Sequence, residues 1–134
     1  MYPVLLILHS VLRWLALGAL VLALYRAFSG VSGKKAFSKA DDSIRHWTAT
    51  LFHIQLVLGM ILYIKSPLVK YSWQNRSEAM NDLDVSFFGL YHPIGMLLAV
   101  VVLTIGSALA KRRVTDAEKF NTMLYWFAVV LLII

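Results

Sequence analysis

The chain has 134 residues, 60% hydrophobic and only 15% charged, and its mean hydropathy of +0.71 exceeds that of a soluble domain of this size. Its net charge of +6 is confined almost wholly to short stretches between apolar runs. That suits basic cytoplasmic loops and anionic headgroups rather than nucleic acid, for no basic helix interleaved with aromatics is present. The absence of cysteine excludes thiol–disulfide exchange, iron–sulfur ligation, cysteine nucleophiles and covalent attachment of a cofactor through Cys-x-x-Cys-His.

The first apolar run extends from Tyr2 to Tyr25 and is closed by Arg26 and a Gly/Ser/Lys stretch, residues 29–35, which predicts a helix over about 2–28. It lacks the basic leader of a signal peptide and is read as a retained first helix. The second run, Ile44 to Ile64, predicts a helix over about 43–65. Asp41, Asp42 and Ser43 lead it in, as suits unpaired N–H groups at a helix start, and Lys65-Ser66-Pro67 ends it. The third, from about Phe87 to Ala110, ends at Lys111-Arg112-Arg113 and predicts a helix over about 86–111. The fourth follows Asp116-Ala117-Glu118-Lys119 and predicts a helix over about 117–134.

The first three runs are each long enough to cross a hydrocarbon core, which takes ~20 residues. The apolar part of the fourth, Phe120 to Ile134, would reach only roughly 22 Å at ~1.5 Å per residue. Either the natural chain continues, or this helix sits short and tilted. The expected architecture is all-α: one multi-pass membrane domain over residues 1–134, an up-and-down four-helix transmembrane bundle. Lys and Arg counts set its orientation. Arg26, Lys34, Lys35, Lys39 and Arg45 flank the first connection, and Lys111, Arg112, Arg113 and Lys119 the third. The second carries only Lys65, Lys70 and Arg76. This places the first and third loops in the cytoplasm and both termini outside. The longer outer loop, with Tyr71 and Trp73, is expected to lie along the interface.

Ionisable residues inside such helices are expensive and commonly bind something or move charge. The chain has His9, His46, His53 and His92 in or at the ends of its apolar runs, and Arg13 one turn beyond His9. Counted from the outer ends of their helices, His9 and His92 lie at one depth, roughly 8–10 Å inside the boundary. In an up-and-down bundle the first and third helices are diagonal, so the two face each other. Two imidazoles at one level form the geometry of a bis-histidine haem. Gly95, Ala99 and Gly106 share the face of His92, and Ala16 and Ala23 that of His9. These small residues either leave a slot for a macrocycle or simply pack helices closely.

None of the apolar runs contains Asp or Glu, so Arg13 either snorkels to headgroups or pairs with an anion such as a haem propionate. His53, near mid-membrane, reads equally as an alternative axial ligand, a quinone hydrogen-bond partner or a satisfied core histidine. His46, between Arg45 and Trp47, reads as interfacial. Pro93 can kink the third helix by freeing the carbonyl near Gly89, or serve structure alone. A zinc site using three histidines is disfavoured, because His53 lies one to two turns deeper than the other two.

Leu8-His9-Ser10-x-x-Arg13-Trp14, His53-x-Gln55-x-x-x-Gly59 and His92-Pro93-x-Gly95-Met96, the last leading into a helix that ends Lys111-Arg112-Arg113, resemble the small four-helix membrane b-type cytochromes of bacteria. The resemblance covers most of the chain. It implies non-covalent haem b and electron transfer with a quinone pool or within a respiratory assembly of the inner (cytoplasmic) membrane. The fourth helix carries no histidine, which limits the expectation to one haem. On this reading His9 and His92 are the axial ligands, Arg13 meets a propionate, and His53 is in reserve. The protein is then an electron-transfer protein or a subunit of an oxidoreductase complex, beside a membrane-protein partner or a second copy, rather than a stand-alone enzyme. The competing expectation is a cofactor-free structural or quinone-contacting subunit.

Overall fold

Ala16, Leu20, Ala23 and Ala27 recur every three or four residues, a spacing that lines up one face of a helix, and all four are buried. In the computed structural model, which describes residues 2–79, 81 and 90–134, they belong to α1, Tyr2–Gly33. The further helices are α2 (Lys39–Lys65), α3 (Pro67–Gln74), α4 (Arg76–Ala79), α5 (His92–Arg112) and α6 (Asp116–Ile133), and no strand occurs among the described residues. Three of them, α1, α2 and α5, are long and apolar enough to cross a membrane. With its 18 residues α6 covers roughly 27 Å, but Asp116, Glu118 and Lys119 occupy its first turn.

Helix α1 runs five residues past its expected end, through the stretch read as a linker. The cause is tertiary. Gly30 is buried against α6, where a Cβ would fall 2.5 Å from the Phe120 ring, and Phe37 packs edge-on to the same ring at 5.1 Å. Lys34, at φ 48°, then ends the helix, with the Lys35 N–H bonded back to the Gly30 carbonyl at 3.1 Å. That is the six-to-one bond of a Schellman stop, here with lysine where glycine is usual.

Helix α2 starts four residues earlier than its apolar run suggests. Ser38 is the cap: its side chain accepts from the Asp41 N–H at 3.2 Å, and the Asp41 carboxylate accepts from the Ser38 N–H at 3.0 Å. Regular α-helix in α5 begins at His92, after a wider π turn at residues 90–91. The expected start at 86 lies outside the described residues. Thr115 caps α6 by accepting from the Glu118 N–H. The connection between α2 and α5 carries the two short helices α3 and α4, and Trp73 of α3 donates to the Tyr63 hydroxyl of α2 at 2.6 Å.

Each long helix packs against two others: α1 on α2 and α6, and α5 on α6 and α2. This sets α1 and α5 across the diagonal. Small residues on α1 (Ala16, Ala23, Ala27) meet larger ones, Phe52 of α2, Leu103 of α5 and Met123, Phe127 and Val130 of α6, in one cluster. Polar ties reinforce the end that holds the α1–α2 turn. Buried Arg45 bonds Asp42 at 2.9 Å and donates to the Ser107 hydroxyl of α5 at 2.7 Å, while Asp41 pairs with Arg26 of α1 at 3.3 Å.

Candidate functional site

His9 on α1 and His92 on α5 come together at the opposite end from those ion pairs. Their ring centroids are 6.5 Å apart with planes crossed at 89°, and both side chains are half-buried. The equal depth read from residue counting is thus matched by proximity across the diagonal. Two imidazoles bound to one ion would stand at a similar separation. A metal–nitrogen bond of about 2.0 Å on either side, with the two ring radii, gives about 6.4 Å.

The His9 ring lies on Gly59 of α2, whose Cβ, if present, would stand 3.2 Å from Cε1 and 3.9 Å from Nδ1. One turn earlier on α2, Gln55 donates its amide N–H to the His9 carbonyl at 2.7 Å. The expectation from sequence assigned neither residue a role beside His9. Their signal was present, however: a glutamine inside an apolar run with a glycine four residues on.

Arg13 stands on α1 one turn from His9. Its side chain is exposed, with the guanidinium 5.3 Å from the centre of the Trp14 ring, and it has no ion pair among the described residues.

His53 is not brought to the pair. It lies six residues before Gly59 on α2, roughly 9 Å along the axis, and faces outward, where Nε2 contacts the Thr104 hydroxyl of α5 at 2.8 Å. That hydroxyl donates to the Val100 carbonyl at 2.7 Å, so its oxygen accepts from Nε2–H. His46 is exposed and its ring sits 5.6 Å from that of Trp47.

The stripe of small residues is largely occupied by protein. A Cβ at Gly106 would collide with Trp126 of α6, and Ala99, Ala16 and Ala23 are buried in the helix core. Beside His92, nothing lies within 4 Å of a Cβ built on Gly95. Pro93 falls in the first turn of α5, where its missing N–H is tolerated, and the Gly89 carbonyl lies outside the described residues. No group of three or more His, Asp or Glu side chains converges on one point among the described residues.

No family model, no curated protein and no solved structure matches this chain.

Proposed function

We propose that the chain is a membrane b-type cytochrome that holds one non-covalent haem b between His9 and His92 and passes electrons. On this reading its four long helices form an up-and-down transmembrane bundle in a bacterial inner membrane, with both termini on the outer face. Electrons are exchanged with a quinone or a neighbouring membrane subunit. The observation that carries the reading is the 6.5 Å separation of two imidazoles projected from diagonal helices, which suits two axial nitrogens on one iron. Arg13, a cation without an ion pair among the described residues, is the group that would meet a propionate. Bound there, haem supplies one-electron iron chemistry. The chain supplies the axial ligands, the apolar surroundings and the charge that set its potential.

Two observations favour the alternative, a cofactor-free subunit that contacts quinone. Trp126 fills the Gly106 position, and His53 with Thr104 offers a polar pair on the outward face of α2 and α5. Spectroscopy separates the two. Protein purified in mild detergent and supplemented with haem should show a Soret band and a reduced-minus-oxidised difference, and the low-spin signature should be lost in His9→Ala and in His92→Ala. A wild-type protein with no Soret band after supplementation removes the cytochrome reading and leaves the alternative.

A further inference from the structure

Among the described residues two side-chain polar atoms are buried without a hydrogen-bond partner, Nδ1 of His9 and Oε1 of Gln55. They belong to residues already in contact, for the Gln55 amide N–H donates to the His9 carbonyl. A carbonyl can only accept, so the NH2 group must face it, and Oε1 is left as the free acceptor. The His9 ring turns its Cε1–Nδ1 edge toward Gly59, one turn from Gln55 on the same face of α2. With the proton on Nε2, the buried lone pairs on Nδ1 and Oε1 have no proton to share. With the proton on Nδ1, the two sites hold one donor and one acceptor, which a direct bond or one bridging water would satisfy together.

We propose that Gln55 is the positioning residue of His9: its side-chain carbonyl takes the Nδ1–H, directly or through one bridging water, and leaves Nε2 as the bare nitrogen. An imidazole whose one N–H is held by an oxygen is in the state that presents its other nitrogen to a metal, with tautomer and ring orientation fixed together. The inference rests on the reading of His9 as an axial ligand and names what prepares it. Gly59 gives the ring its room, and Gln55 gives it its tautomer.

The test needs no haem. Full-length protein labelled with 15N-histidine, in detergent micelles and buffered well above about pH 6.5 so that the imidazoles are neutral, reports the tautomer of each ring. The His9 signals are identified by their loss in His9→Gln. Wild-type His9 should carry its proton on Nδ1 alone. Gln55→Met, equal in length but without an acceptor oxygen, should lose that single state and gain the Nε2–H form. A wild-type His9 protonated on Nε2, or a Gln55→Met protein with an unchanged tautomer, overturns the inference. The wild-type tautomer decides even where Gln55→Met fails to fold. The Soret band of the supplemented wild type judges the haem reading separately: a Gln55-dependent Nδ1–H without that band keeps the positioning role and discards the cytochrome.

Discussion

Substitution of Gly59 tests whether α2 sets the position of the His9 ring. In Gly59→Ala the new methyl carbon stands 3.2 Å from His9 Cε1, so the ring must recede by a few tenths of an ångström. The strain is opposed by the ~1 kcal/mol that alanine gains over glycine inside a helix. The two nearly cancel, and the expected result is a melting temperature within a few degrees of wild type with the His9–His92 pair intact. Gly59→Leu puts three further carbons into space the imidazole occupies, an overpacking cost of about 1–3 kcal/mol. If that strain is relieved by displacing the ring, and so is drawn from ligand binding, haem affinity falls about 5- to 150-fold. Haem titration followed by absorbance, with thermal unfolding in the same detergent, reads both quantities. A Gly59→Leu protein that binds haem as tightly as wild type, with an unchanged low-spin spectrum, would refute the claim that the glycine makes room for the ligand.

Gly30→Val should destabilise the protein by about 1–3 kcal/mol, because its side chain must enter the Phe120 ring; thermal or denaturant unfolding reads this without reference to any cofactor. Asp42→Asn should cost about 1–3 kcal/mol in the same assay. It removes the carboxylate that balances buried Arg45, and the cost stays below that of a fully buried pair because Asp42 is half exposed. Arg13→Gln should retain haem less well and lower its reduction potential, since a nearby positive charge stabilises the electron-rich ferrous state; His46→Ala should change neither. For orientation, single cysteines placed at Ser32, Ser72 and Thr115 can be probed on intact cells with an impermeant maleimide. Labelling confined to the Ser72 position is expected, and labelling at the other two alone would invert the topology.

Depth was legible in the sequence because helical rise is nearly constant. Counting residues from the ends of the apolar runs brought His9 and His92 to one level, and it set His53 deeper, where it meets Thr104 instead. Helix ends were less legible. Hydropathy marks where a chain leaves the hydrocarbon, whereas a helix stops where its backbone finds other partners. The box of Ser38 and Asp41 therefore begins α2 ahead of the apolar run, and the seat of Phe120 on Gly30 carries α1 past its own.

What the sequence by itself determined is the set of three apolar helices able to span a membrane, and the few polar residues they must accommodate. Which faces of those helices meet was decided only by the tertiary structure. Side chains that face lipid are as apolar as those that face the core, so periodicity does not mark the buried stripe. For that reason the sequence left both a slot and close packing open at Gly106, which Trp126 fills, and Arg45 read as a loop cation although it is buried against Ser107. Gln55 read as a neighbour of His53, but helix pairing sets it against His9, because contact across α1 and α2 depends on their register and not on distance along the chain.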